Sequence, residues 1–534
     1  MTEVNIQNFE ELFPDIKKSL EEAKFISIDS EFSALYPLKE QSPSLFDTPN
    51  ERYQKSRKNI QFVVPIQIGL TAFTFNPDTN TYLGKIYNFY VTPATFPFVE
   101  KQFMFQSTTL NFLKYYGFNF NKFVHFGIPY INKDQELELR QRFKNDDVTE
   151  VQSLFQHVIT EILHHHGQQV QKWYATAKIG DTLTLPEISE VCQKNYEISY
   201  FLHKSLRRRF KDIWTLIENK EFVIKKVSPD DMKMLNQSRN LEEDLISDIL
   251  GFGKVFRLLV SLQKPIVAHN AMQDILLLIQ CLETSLPNCY KKFKKLTNNL
   301  FPKIFDTKTI SYEIRNLVPE DKKWKDTSLQ SLFEYFKDGT GRHLAINSPG
   351  IETDCVDCMG KYHEAGWDSF CSGYIFIRMA YLNVFQKYPK SKKFMCTELI
   401  AGLDGCKNRL NVIRGAVSSI KIDGDDPVST RPPYLVVEST KNMPLNISRV
   451  SCILSSFGFV EIRRFPYQNK RALIVVDNFG SARRILNNFK TNSDYRIQQY
   501  NFLKHSTAIR MCLLSGMTIS GILLLCITSG AIKR

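Results

Sequence analysis

Residues 24–32 read Lys-Phe-Ile-Ser-Ile-Asp-Ser-Glu-Phe and alternate apolar with polar side chains, the two-residue period of a strand. Phe9, Leu12, Phe13, Ile16 and Leu20 just before them keep helical spacing, so a helix leads into a strand that ends in acids. Asp29 and Glu31 stand two residues apart, hence on one face and within reach of one pair of ions. Asp-x-Glu alone is common, and its meaning depends on what else the chain can bring to the end of that strand.

Two later segments supply partners. Residues 265–270 (PIVAHN) form a short apolar strand leading to a turn, and a helix from about Met272 to Leu282 then carries Asp274 in its first turn. The run His363-Glu364-Ala365-Gly366-Trp367-Asp368 places a fourth acid five residues after a histidine. Hydrolysis of a phosphodiester calls for two Mg²⁺ ions held by hard oxygen ligands, one generating hydroxide from water and one stabilising the leaving oxygen. Asp29, Glu31, Asp274 and Asp368 can supply that cage. A histidine beside it, with an ordinary pKa of about 6.5, can accept the proton of the attacking water, and His363 fits the role. Singly, each acid reads as a solvated carboxylate and His363 as a structural histidine; the ordered set of five points to chemistry. By contrast, His164, His165 and His166 are consecutive, face different sides of a helix, and read as a solvated face rather than as metal ligands.

A chain of 534 residues should divide into several folded units. Residues 62–75 and 86–91 are rich in β-branched and aromatic residues and are separated by Asn76-Pro77-Asp78, which predicts an antiparallel opening to a mixed sheet. Residues 151–245 switch to helical periodicity, carry the basic run KSLRRR at 204–209, and read as an inserted helical module. The α/β core therefore comes in two parts, 1–150 and 246–390. A linker over 391–432, with Gly424, Pro427, Pro432 and Pro433, leads to strand, helix, strand, strand, helix over 433–490, a small α+β domain.

After a second linker, 491–510, residues 511–532 (MCLLSGMTISGILLLCITSGAI) contain no charge. At 1.5 Å per residue a helix of that length spans the hydrocarbon core of a bilayer. Lys504, His505 and Arg510 on one side and Lys533 and Arg534 on the other give it basic flanks, so the segment reads as a transmembrane tail anchor. With a charged start and no apolar signal segment, the preceding residues are expected on the cytosolic face. Lys plus Arg outnumber Asp plus Glu by 69 to 56, which favours a polyanion or an anionic membrane surface as partner. The 43% of apolar residues, with 40 Phe, exclude a disordered chain. Eleven Cys follow no framework spacing, and Cys355-x-x-Cys358 lacks the second pair that a zinc site needs, so reduced thiols are expected.

Asp-Ser-Glu-Phe at 29–32, F-N-F-N-K-x-x-x-x-G-I-P-Y at 118–130, A-H-N-x-x-x-D at 268–274, F-D-T-K at 305–308 and H-E-A-G-W-D at 363–368 strongly resemble the poly(A)-specific ribonuclease family, over nearly the whole chain. With its apolar C-terminal segment the sequence looks most like the PARN-like domain-containing branch, trimmer exonucleases that shorten the 3′ ends of PIWI-interacting RNA precursors. The resemblance implies a ribonuclease-H-like α/β fold of the four-acid (DEDD) type. It also implies two Mg²⁺ ions, with Mn²⁺ able to substitute, ligated through Asp29, Glu31, Asp274 and Asp368, and His363 as general base. Phe32 and Lys308 would touch the terminal nucleotides, since aromatic faces stack bases and lysines neutralise phosphates. The substrate would be single-stranded RNA presented by a PIWI protein and a Tudor-KH-type adaptor. The membrane would be the mitochondrial outer membrane, with the endoplasmic reticulum as the alternative and membrane lipid as a further partner. The insert resembles a diverged form of the family's small nucleic-acid-binding module. The domain at 433–490 resembles an RNA-recognition motif, although 470–477 (KRALIVVD) lacks the aromatic residues that stack bases. A messenger-RNA deadenylase and a membrane-bound RNA scaffold with a silent site are the other readings; the intact acids and histidine oppose the scaffold.

Overall fold

Four strands of the first hundred residues establish the sheet: β1 (Thr2–Val4), β2 (Phe25–Phe32), β3 (Pro65–Asn76) and β4 (Thr81–Pro93). The structure is a computed structural model and describes residues 1–354, 360–389, 393–441, 443–466, 468–501 and 505. The chain forms two compact units, residues 1–41 with 56–410 and residues 42–55 with 411 onward.

In the first unit β3 and β4 form a long antiparallel hairpin, closed where Asn80 turns back with φ 52°. The helix Phe9–Glu22 precedes β2, which pairs antiparallel with β3 on one side and parallel with the strand Ile266–Ala268 on the other. Ile304–Asp306 adds a further parallel strand beside Ile266–Ala268. The outer edge of β4 is covered by short parallel strands at three places: Gly350–Thr353, β1 and β5 (Ile128–Tyr130). Pairing along its length removes the open edge that would invite aggregation. This is the mixed sheet of a ribonuclease-H-like core, and β2, which carries the acids, lies in its interior.

The long helix Ala365–Lys387 is apolar on most of its faces because it crosses the sheet and is then covered by further helices. Its Phe370, Tyr374 and Ile377 share one core with Phe25, Phe73, Ile86, Val267 and Phe305 of the strands. Each fully buried side chain of that kind is worth about 1.5–3 kcal/mol in transfer free energy, so the helix is held firmly between the sheet and the helix Leu329–Lys337.

Residues 151–245 depart from the helices-only expectation. The helices Gln156–Thr176, Pro186–Lys194 and Tyr196–Arg209 are joined by a three-stranded antiparallel sheet, Thr182–Thr184, Ile213–Glu218 and Glu221–Lys226. The hairpin turns on Asn219 and Lys220, both with positive φ (51° and 67°), the geometry that suits tightly twisted strands. Helical periodicity in the flanks masked a short β-branched hairpin.

The second unit runs strand Leu435–Ser439, helix Ile447–Ser455, strands Val460–Arg464 and Arg471–Val476, helix Phe479–Asn488 and strand Tyr495–Gln499. Its last strand pairs with Leu435–Ser439 and falls in the stretch expected to be linker. Residues 42–55 are drawn into this unit: Arg52 Nε donates to Asp47 at 3.1 Å and its other nitrogens donate to the backbone oxygens of Ile413 and Arg414. Among the described residues no helix is long and apolar enough to cross a membrane. The uncharged run 511–532 and the pair Cys355 and Cys358 lie outside the described residues.

Candidate active site

β2 delivers Asp29 and Glu31 because its alternation puts both on one face, and a register shift after Glu31 pairs Phe32 with Pro65 at the end of the ladder. Asp29 faces Gly69 across the β2–β3 ladder. That glycine is required: a Cβ there would lie 1.9 Å from the backbone oxygen of Ala365 and 2.4 Å from the nitrogen of Gly366. The first turn of the long helix thus rests directly on the strand beside Asp29, which brings Asp368, in that turn, over the acids.

Side chains of the neighbouring strands complete this contact. Gln67 Oε1 accepts from the Ala365 N–H at 2.9 Å, and Asn88 Oδ1 accepts from the Gly366 N–H at 3.0 Å. The Asn88 amide also donates to Glu364 Oε1 at 3.0 Å. Two otherwise orphaned N–H groups of a helix start are satisfied by buried residues of β3 and β4.

Asp274 enters from the helix Met272–Leu278 and accepts a hydrogen bond from Ser30 Oγ, between the two acids of β2, at 2.5 Å. Its helix is anchored by Asp306, a fully buried carboxylate that accepts the N–H groups of Asn270 at 2.9 Å and Ala271 at 3.1 Å. Asp306 also accepts the Lys308 N–H at 3.0 Å, so one carboxylate fixes the starts of two helices, Met272–Leu278 and Thr307–Ile314. Lys308 is half-buried there, its charge acting on His269.

His363 has a positive φ of 65°, a conformation stored at few non-glycine positions. Its N–H donates to Asp368 Oδ2 at 3.1 Å, and its ring packs against Phe112 and Tyr116 at centroid distances of 4.7 and 4.0 Å. The helix Ser107–Tyr115 thereby holds the ring. One donor atom each from Glu31, His363 and Asp368 lies within 4.8 Å of the others. A cleft of about 670 Å³ opens beside His363, with Tyr90, Tyr115, Tyr116, Phe118, Lys122 and Lys361 in its walls.

Burial raises the pKa of all four acids. It is the largest cause at Asp29 and Glu31, followed by the charges of the neighbouring carboxylates, and both are pushed well above their usual range. Asp274 and Asp368 are pushed up to about 7, again chiefly by burial. Burial also lowers the His363 pKa, favouring the neutral imidazole that can accept a proton. Asp368 Oδ1 is buried and has no hydrogen-bond partner. Asp29 and Glu31, raised further by the charges of Asp274 and Asp368, form with those two acids and the orphaned oxygen of Asp368 a donor set that fits a hard divalent cation.

The structure therefore gathers Asp29, Glu31, Asp274, His363 and Asp368, sets Phe32 at the same strand end, and links Lys308 to the group through Asp306. Sequence reasoning passed over Gly69, Asn88, Gln67, Phe112 and Tyr116. A lone glycine in an apolar strand was the legible signal for Gly69.

An interior strand of a mixed sheet that carries clustered acids beneath the start of a crossing helix is the arrangement of a ribonuclease-H-like nuclease. Residues 4–376 match the CAF1 family ribonuclease profile. The pre-piRNA 3′-exonuclease trimmer of Bombyx mori is 34% identical over 530 residues, which cover 97% of each chain. The poly(A)-specific ribonuclease PNLDC1 of Homo sapiens is 30% identical over 501 residues, 89% of this chain and 90% of that one. The RNase domain of the yeast Pop2 protein overlays with a TM-score of 0.34 and 13% identity, across 72% of this chain and 86% of that one. The chain belongs to the CAF1 ribonuclease family, and it is a 3′→5′ exoribonuclease acting on RNA.

Proposed function

We propose that this exoribonuclease trims the 3′ ends of single-stranded small RNA, the precursors of PIWI-interacting RNA. One observation carries the reading beyond the family: near-complete coverage by a relative described as a pre-piRNA trimmer, at 34% identity. Aromatic and basic walls beside His363 support a single-stranded substrate, because such surfaces stack bases and track phosphates.

Asp29, Glu31, Asp274 and Asp368 are proposed to hold two Mg²⁺ ions, for which Mn²⁺ can stand in. When bound, such ions would supply a hydroxide nucleophile and stabilise the leaving 3′ oxygen. His363, neutral and wedged by Phe112 and Tyr116, accepts the proton of the attacking water at a ring nitrogen. Asp306 keeps Asp274 in place, and Gly69, Gln67 and Asn88 do the same for Asp368. Phe32 and Lys308 are assigned to the terminal nucleotides.

The second unit has the strand and helix order of an RNA-recognition motif, and its sheet order supports that assignment. The run 511–532 is proposed as a tail anchor in the mitochondrial outer membrane, or else the endoplasmic reticulum, with the catalytic part in the cytosol. A PIWI protein and a Tudor-KH-type adaptor would present the RNA there.

A second reading, removal of poly(A) from messenger RNA, is favoured by the description of the human relative as poly(A)-specific. Digestion of equal-length 3′-labelled RNAs with mixed or all-adenosine tails separates the two. Trimming expects comparable rates on both; a preference of tenfold or more for adenosine would favour the deadenylase.

A further inference from the structure

The inserted segment brings together two histidines and a glutamate that their spacing alone argues against. His165 and His166 sit in the helix Gln156–Thr176, and Glu187 opens the helix Pro186–Lys194. His166 Nε2 approaches Glu187 Oε2 to 3.3 Å, and the rings of His165 and His166 stand 4.8 Å apart at 86°. One donor atom from each of the three lies within 4.8 Å of the other two. Consecutive helical positions diverge by about 100°, and His164 and His165 are exposed as a solvated face would be, yet a ring nitrogen of each of His165 and His166 comes within 4.8 Å of a Glu187 carboxylate oxygen.

An exposed His–Glu ion pair needs one imidazole and contributes little. The second ring adds nothing to such a pair, but it completes a three-ligand set. The His166 side chain is only 13% exposed and therefore fixed, whereas that of Glu187 is 75% exposed and free to close on an ion.

We propose that His165, His166 and Glu187 bind a zinc ion, separate from the nuclease acids, that clamps the helices Gln156–Thr176 and Pro186–Lys194 together. Two imidazole nitrogens and a carboxylate with an open position suit Zn²⁺. Mg²⁺, which takes oxygen ligands, would leave the site empty. The connection between the two helices contains Thr182–Thr184, the edge strand of the insert's sheet. Closing that loop with a metal would stabilise the insert where it is thinnest.

The test is isothermal titration of ZnCl₂ into the full-length protein, with millimolar Mg²⁺ present to occupy the nuclease centre. Wild type and Asp29→Asn should bind one zinc alike, and the double variant His165→Ala/His166→Ala should lose it. Glu187→Gln should weaken binding by about tenfold or more, and Glu187→His, which returns a donor, should restore it. Circular dichroism and an unchanged RNA cleavage rate in Glu187→Gln check the fold. Should the double histidine variant fail to fold, the two Glu187 variants decide. Zinc binding that survives the histidine and Glu187→Gln substitutions, or no binding by wild type, would overturn the proposal. Loss of zinc in Asp29→Asn would do so too, by placing the ion at the nuclease acids.

Discussion

Replacing Gly69 by Ala should disable the nuclease without altering any of the five residues gathered at its centre. The new Cβ would lie 1.9 Å from the oxygen and 2.1 Å from the carbon of the Ala365 carbonyl, and 2.4 Å from the Gly366 nitrogen. All three are backbone atoms, so no side-chain rotation relieves the clash. Restoring a van der Waals separation of roughly 3.4 Å moves the first turn of the long helix by about 1.5 Å. Asp368 travels with that turn, away from Asp29 and Glu31. A displacement of about 1 Å can cost about 10²-fold in rate, and overpacking of this kind costs about 1–3 kcal/mol of stability. Single-turnover release of a 3′-labelled nucleotide, with Mg²⁺ titrated, should show a loss of about 10²-fold or more and a higher Mg²⁺ requirement. Gly405→Ala, where an added Cβ meets nothing within 4 Å, is the control. A Gly69→Ala enzyme within about twofold of wild type at the same Mg²⁺ concentration would refute the claim that this close approach sets the position of Asp368.

Other substitutions probe single contributions. His363→Ala should lower kcat by about 10²–10⁴ with little change in RNA affinity, and raising the pH should recover part of the rate; a wild-type kcat under chemistry-limited conditions would assign the proton to another group. Asp306→Ala removes the carboxylate that accepts from the N–H groups of Asn270, Ala271 and Lys308, so thermal unfolding should show a loss of about 2–4 kcal/mol together with a raised Mg²⁺ requirement. In metal-free protein, Asp274 and Asp368 have folded pKa values of about 7 against a usual 3.8, so the stability they contribute is full below about 4 and is lost as pH rises through 7. The melting temperature of the metal-free enzyme should therefore fall between pH 5 and 8 more than that of the Asp274→Asn variant, and Mg²⁺ should offset the fall; a flat profile would contradict burial as the force that raises these two carboxyls. Truncation before Arg510 should release the protein from membranes at high salt while leaving cleavage of free RNA intact, as fractionation followed by assay would show.

Much of the site was legible because metal chemistry demands charged oxygens, and four acids in strand and helix-start contexts stand out against an apolar background. The acids of the cluster could be read without the contacts that hold them. Gly69 and Asn88 matter through where the long helix lands, a consequence of three-dimensional packing that no local pattern encodes. Phe112 and Tyr116 carry no sequence signal of their own; they matter because the His363 ring packs against both. In the insert, strong helical periodicity on both sides concealed the Asn219–Lys220 hairpin, although its β-branched flanks were in plain sight. The histidine run shows a different limit: helical-wheel angles separate His165 and His166, whereas a carboxylate from another helix, Glu187, comes near a ring nitrogen of each.

The most direct test of the account is digestion of a 3′-end-labelled single-stranded RNA by the purified full-length chain and its Asp29→Asn variant, each with Mg²⁺ or with chelator. The four-carboxylate assignment predicts stepwise release of mononucleotides from the 3′ end by wild type with Mg²⁺, and none in chelator or from a folded Asp29→Asn protein. Undiminished cleavage by the variant, or by wild type stripped of divalent metal, would contradict it.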